Sequence, residues 1–295
     1  MNFKRLFVSF FAFLLILLTT TPLLQAKADD LKLNKTRATL YVDKSFKLKV
    51  SNIRGNKVKW ESSNPEVATV TKWGTVKGIS KGKTVITATV GSSTLKCTVN
   101  VKYNKNEEVK KIKQEFIESK TDGKITEIHC LLTNESNLDL VIGFEAKFYD
   151  AADQLVSINN LYGYSASLPI GQGTLISFTP PDKEYLYYKV DYTNAWEIAN
   201  TKVNTYLTIN TTETLRKSEW NIPEEKLFID LLVTNSSKKN IYFSGYIAFY
   251  KNDQLIKVQA LNYNTLDIND NVINNRECIT FEYDNYKVVY NAKLP

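Results

Sequence analysis

The stretch VKWESSNPEVATVTKWGTVKGISKGKTVITATV, residues 58–90, alternates apolar and polar side chains and carries a turn signal every eight to ten residues. Successive side chains of a strand point to opposite faces of a sheet, so period two marks strands with one face buried. The pattern continues in both directions. In SFKLKV (45–50), Phe46, Leu48 and Val50 oppose Lys47 and Lys49; in TLKCTVNV (94–101), Cys97, Val99 and Val101 share one side. With TLYV (39–42), KVKWES (57–62), VATVT (67–71), GTVKGI (74–79) and KTVITATV (83–90), seven short strands fill residues 31–103. Strands of this length bury one face each most economically as two packed sheets, which predicts an all-β sandwich.

Within it, Trp60 is expected to fill the space between the sheets. Ser62, Ser63 and Asn64, before Pro65, are expected to turn the chain by bonding their own backbone. Gly74 and Gly82 are expected where turns need a positive φ. Trp60-Glu61-Ser62-Ser63-Asn64-Pro65, Val67-Ala68-Thr69-Val70, Gly74, Val76, Gly78, Gly82 and the closing TVITATV and CTVNV resemble the bacterial immunoglobulin-like domain of group 2. The resemblance spans residues 31–103. It implies an immunoglobulin-like sandwich of the kind found in intimin- and invasin-like adhesins and wall-associated proteins. It departs at Lys44-Ser45, where the family often has a glycine.

The first 28 residues read as a secretory leader: a charged MNFKR, an apolar run from Leu6 to Leu18 broken only by Ser9, and a cleavage signal at Ala26-Lys27-Ala28. The run falls short of the roughly 20 residues that cross a bilayer. No cysteine follows it, which argues against a lipid anchor, and no transmembrane segment is expected after cleavage. The expected product is a secreted protein, retained on the cell wall or released.

Composition suits a folded chain, with 43% apolar, 23% charged and 12% aromatic residues. Charge is unevenly spread. Residues 31–102 hold 15 Lys and Arg against Asp43, Glu61 and Glu66, a net of +12, whereas residues 103–295 hold 20 against 26, a net of −6. Lys47, Lys49, Lys57, Lys59, Lys72, Lys77, Lys81 and Lys83 occupy turns or outward strand positions. They are the candidate contacts for an anionic cell-wall polymer or glycan, drawn by counter-charge. Trp73, in a turn beside Lys72, is the candidate aromatic contact. Nucleic acid is not an expected partner of an exported chain.

The rest of the chain repeats itself. CLLTNESNLDLVIGFEAKFYDAADQLV aligns with LLVTNSSKKNIYFSGYIAFYKNDQLI, so that Thr133-Asn134 matches Thr234-Asn235 and Phe148-Tyr149 matches Phe249-Tyr250. YKVDY (188–192) matches YKVVY (286–290), and Ser177-Phe178 matches Thr280-Phe281. Two further β-sandwiches are expected, at 111–195 and 203–295, with residues 104–110 as a polar linker. Val109, Ile112 and Phe116 fit a helical stripe, but Lys113-Gln114-Glu115-Phe116 recurs as Lys217-Ser218-Glu219-Trp220, which predicts a first strand there. DLVIGFEAKFYDAADQLV followed by LPIGQGTLISF resembles the FxLYM-like family of small extracellular sandwiches; the second copy departs with LDINDN in place of LPIGQ.

Chemistry is sparse. His129 is the single histidine and is expected to face outward, because Ile128 and Cys130 take the inner face. A Cys–His nucleophile or a zinc site therefore lacks parts. Glu224-Glu225 and Asp267 with Asp270 lie in loops without a cleft, and DINDN (267–271) lacks the glycine and glutamate that close a calcium loop. Cys97, Cys130 and Cys278 fall in three different modules, so no disulfide framework is expected. Tyrosines of KEYLYYKVDY (183–192) and NYNTLDINDN (262–271) are candidates for sugar contact. The expectation is a non-catalytic binding protein without cofactor or metal. Two alternatives are an adhesin binding a host protein or carbohydrate through repeat loops, and a purely structural spacer.

Overall fold

The computed structural model describes residues 31–198, 206–217, 225–261, 265–268, 271–273 and 279–294. The expected leader lies outside them, as does Cys278. The chain divides into two units that part between Lys102 and Tyr103.

In the first unit, nine strands form: β1 (Lys32–Leu33), β2 (Arg37–Tyr41), β3 (Ser45–Lys47), β4 (Val50–Ser51), β5 (Val58–Ser62), β6 (Ala68–Val70), β7 (Thr75–Gly78), β8 (Gly82–Val90) and β9 (Ser93–Lys102). One sheet runs β2-β9-β8-β5, with β2 parallel to β9; the other runs β3-β7-β6, and β1 pairs with β4. Between the sheets lie Val76, Ile86, Ala88, Cys97, Val99 and Val101, all at 0% exposure, with Trp60 half-buried against them. This is the sandwich that the alternation predicts.

Three details differ from the sequence reading. SFKLKV is not one strand: Asn34 donates its side-chain amide to the Lys47 carbonyl (3.1 Å) and accepts from the Lys49 amide (2.9 Å), which parts β3 from β4. Gly82 does not have a positive φ; it is required because a Cβ there would lie 2.8 Å from a methyl of Val67. In the turn just before Lys44-Ser45, Asp43 takes the left-handed conformation, at φ 62°. Around Pro65, Asn64 bonds its own turn by accepting from the Glu66 amide (3.0 Å). Ser62 instead donates across to the Ala68 carbonyl (2.6 Å), and Ser63 accepts from the Val85 amide (2.9 Å).

The second unit opens with α1 (Lys105–Val109), capped by Asn104. Glu108 of α1 is buried, bonded to Lys111 and to the backbone and side-chain amides of Asn137, and Val109 joins the core beside it. The first sandwich comprises β10 (Ile112–Thr121), β11 (Lys124–Asn134), β12 (Leu140–Tyr149), β13 (Leu155–Leu168), β14 (Gly173–Phe178) and β15 (Tyr187–Glu197). Its sheets run β10-β11-β14 and β13-β12-β15. The second repeats the plan with β16 (Leu207–Lys217), β17 (Glu225–Asn235), β18 (Ile241–Lys251), β19 (Gln254–Leu261), β20 (Thr265–Leu266), β21 (Asn271–Ile273) and β22 (Asn285–Lys293). Here β16-β17-β21 faces a sheet in which β18 carries β19, β20 and β22. Phe148 and Phe249 are fully buried at matching positions, edge-on to Phe178 of the opposite sheet and to Phe281 in the segment before β22.

The KQEF and KSEW tetrapeptides, in contrast, are not equivalent. Lys113 pairs with Thr133, and the residue that pairs with the matching Thr234 is Thr208; Lys217 closes β16 against Glu225. Lys113 and Lys217 both lie on a first strand, but at opposite ends of it. Residues 218–220 lie outside the described chain.

Within this unit the two sandwiches touch. Leu131 and Leu175, on the outer face of the first, pack against Ala248, Tyr250, Leu255 and Val289 of the second. The Tyr250 hydroxyl donates to Glu115 (3.1 Å), the Ala292 amide donates to the Gln172 side chain (2.7 Å), and the Asn291 amide group donates to the Ser167 carbonyl.

Candidate functional site

Alternation sorts the first unit's side chains into core and surface, and strand register then decides which surface residues become neighbours. On the outer face of β2-β9-β8-β5, Arg37 lies beside Thr98, Thr39 beside Asn100, and Asn100 beside Lys83. These side chains and Ala38 line a shallow depression of about 560 Å³. Lys59, Lys96 and Lys102 occupy further outward positions on the same sheet, and Glu61 is the one carboxylate among its outward strand residues. Among the described residues, none of Arg37, Lys59, Lys83, Lys96 and Lys102 comes within 4.0 Å of a carboxylate oxygen. The face is thus cationic and rich in hydroxyl and amide groups, able to donate hydrogen bonds to an anion that the charges attract.

The eight lysines singled out from the sequence are all exposed but do not form one patch. Lys59 and Lys83 belong to the face just described. Lys47 and Lys77 lie on the outer face of the opposite sheet, where Lys77 sits 3.6 Å from Asp43. Lys49 follows β3, Lys57 lies in the β4–β5 loop, and Lys81 lies in the turn before β8. Lys72 stands in the β6–β7 turn, its ammonium 5.1 Å from the centre of the Trp73 ring. Trp73 is 70% exposed. Arg37, Thr39, Thr98 and Asn100 escaped the sequence reading; the outward positions of β9 and the β2–β9 pairing are the signals that mark them.

Among the described residues, the candidates for chemistry assemble no catalytic arrangement. His129 sits half-buried on the outer face of β11, with Ser119 Oγ 3.0 Å from Nε2 and Ser177 Oγ 2.8 Å from Nδ1. The nearby carboxylate, Glu127, stays 3.7 Å from Nε2, beyond hydrogen-bond distance, so no acid orients the imidazole through one nitrogen while the Ser177 hydroxyl takes the other. Cys97 and Cys130 are buried and unpaired, and burial pushes both thiols up, leaving them as unreactive core residues. Among the described residues, no cluster of three or more His, Cys, Asp or Glu is placed to hold a metal ion. Glu224, Asp270 and the side chain of Glu225 lie outside the described residues, as do residues 262–264 of the second tyrosine stretch.

The first tyrosine stretch divides between core and surface. Tyr185, Tyr188 and Tyr192 pack into the core. Tyr187 stacks on Tyr149 at 5.0 Å on the outer face, with the Lys189 ammonium 5.2 and 5.3 Å from the two rings. The Tyr187 hydroxyl donates to Asp153, and this bond pushes its pKa up to about 12.

Residues 28–101 match the family model of the bacterial Ig-like domain (group 2). Such domains occur in bacterial surface and extracellular proteins, and the fold is typically non-catalytic. No curated protein matches the chain. Among the described residues, no helix is long and apolar enough to cross a membrane.

Proposed function

We propose that this is an exported, non-catalytic binding protein of the bacterial cell surface. Its amino-terminal module attaches to anionic envelope polymers or glycans, and the two carboxy-terminal sandwiches serve as spacer or recognition modules. Support for the second role comes from their resemblance to FxLYM-like sandwiches. The observation that carries the reading is the cationic face around Arg37 and Lys83, whose charges are not neutralised by carboxylates of the same module. A field of one sign over a flat, hydroxyl-rich sheet raises the local concentration of a polyanion and is screened by salt.

The test is retention of the protein on immobilised lipoteichoic acid across a salt series, beside a variant with Arg37→Glu and Lys83→Glu. Both side chains are exposed, so the variant should keep its fold and thermal midpoint. Wild-type affinity should fall steeply with salt, and the variant should bind about tenfold more weakly at low salt, a change of about 1.4 kcal/mol. Retention that ignores both salt and the two substitutions would remove the reading.

A further inference from the structure

We infer that the turn carrying Trp73 is a second binding site, which takes a carboxylated or sulfated pyranose of an anionic carbohydrate. It stands apart from the cationic face above, because β3 and β7 belong to the other sheet.

The turn is pinned rather than loose. The Thr71 amide donates to the Thr75 carbonyl (2.9 Å), and the Gly74 amide donates to the Thr71 carbonyl (2.9 Å). The Thr71 hydroxyl oxygen accepts from the amides of Trp73 (3.3 Å) and Thr75 (3.2 Å). Gly74 adopts φ +80°, and a Cβ there would lie 2.6 Å from the Leu48 carbonyl oxygen and 2.9 Å from the Trp60 ring. The turn is therefore seated on the core at Gly74 while its neighbour Trp73 is held out in water. A large ring whose backbone is already ordered binds without paying that entropy again.

Lys72 lies over one face of the indole, and two more lysines stand on the same outward side of the sheet. Lys47 pairs with Thr75, and the Leu48 amide donates to the Gly74 carbonyl (2.8 Å), so the register sets Lys49 opposite Trp73. Leu48 points into the core, so Lys47 and Lys49 lie on the outward side that Trp73 also occupies. Among the described residues, none of the three lysines lies within 4.0 Å of a carboxylate oxygen.

This combination selects its ligand by chemistry. The uncovered indole face wants the flat C–H face of a ring, and the amines want negative charge on the same molecule. A ringless phosphate polymer leaves the indole unused, and a neutral sugar leaves the amines unused. A lipid surface could use both, but Thr71, Lys72, Gly74 and Thr75 offer no second apolar side chain to insert, and a single anchor holds a membrane only marginally.

The experiment titrates the full chain, beside Trp73→Ala and Trp73→Phe, with polygalacturonate oligosaccharides, linear polyphosphate, neutral dextran and phosphatidylglycerol vesicles. Trp73→Ala should weaken uronate binding about tenfold, Trp73→Phe should weaken it less, and polyphosphate affinity should not change. The Arg37→Glu, Lys83→Glu variant should show the reverse preference, losing polyphosphate first. That contrast separates a failure of this site from a failure of the cationic face. Three results would overturn the inference: uronate binding indifferent to Trp73, an equal loss for uronate and polyphosphate, or Trp73-dependent binding seen only with vesicles.

Discussion

One amide group holds each of the two repeats at its tightest bend. Asn134, fully buried, donates to the carbonyls of Leu138 (2.9 Å) and Leu168 (2.6 Å) and accepts from the Ser136 amide (2.9 Å). Asn235 does the same for the second repeat, donating to Lys239, Leu266 and Asp267 and accepting from Ser237. Buried polar groups stripped of partners cost about 1–3 kcal/mol each, so Asn134→Ala should lower stability by about 3 kcal/mol. Urea unfolding checks it: the midpoint should drop with the slope unchanged. A smaller, pH-dependent contribution comes from Glu108. Burial raises its pKa, but the bonds from Lys111 and Asn137 outweigh burial and hold the carboxyl below its ordinary value of 4.5. The unfolded chain therefore takes up the proton first as pH falls. The stabilisation is complete above the ordinary value and is lost as pH drops through the lower folded one. Thermal midpoints followed from neutral pH into the acid range should fall less steeply in Glu108→Gln than in the wild type.

At the scale of elements, the turn between β6 and β7 does the most with the fewest residues, and Gly74 is its fixed point. Alanine there must both adopt a positive φ and push against Leu48 and Trp60, so Gly74→Ala should cost more than about 2 kcal/mol. Gly91→Ala is the control: its φ is also positive, but a Cβ meets nothing within 4 Å, so it should cost less, and circular dichroism melts of the two variants decide it. These elements also show what the sequence makes legible. Cys97, Val99 and Val101 announce their buried side because alternation is a property of one strand. Which outward residues meet is a property of two. Register brings Arg37 to Thr98 across a parallel pair, and no pattern within LNKTRATLYV reports that. For the same reason the eight lysines could be recognised as exposed without being assigned to two different sheets. The repeat was legible in Asn134 and Asn235, whose buried amides each bond their own bend and the carbonyl of a later strand, a role that fixes the residue type. It misled at Lys113 and Lys217, because matching polar letters carry little information about strand register.

At the scale of the whole molecule, the packing within the second unit is head to tail, and a contact of that type has no intrinsic end. The face that Ala248, Tyr250, Leu255 and Val289 present to the first sandwich has its counterpart on the first sandwich itself. Tyr149 and Leu155 keep the character of Tyr250 and Leu255, and a lysine lies over the tyrosine in both copies, Lys189 and Lys287. The other two positions change: Lys147 stands where the second repeat has Ala248, and Asp191 where it has Val289. Lys147 bonds Glu145 (2.7 Å) and Asp191 (2.9 Å), and these bonds hold its ammonium above the usual lysine range. Covering that cluster would strip water from three charges, a penalty that their mutual attraction does not reliably repay. The charges thus let one face close on a neighbour and keep its twin wet. Two variants test this from opposite sides. Val289→Asp puts an unpaired charge against Leu131 and Leu175, so the second unit should lose its single cooperative unfolding and show two transitions by calorimetry. Lys147→Ala with Asp191→Val restores the apolar pair on the first sandwich, and sedimentation should then reveal concentration-dependent association absent from the wild type. A Val289→Asp protein that still unfolds in one unshifted step, or a double variant that stays monomeric, would show that the two faces owe their difference to something other than these charges.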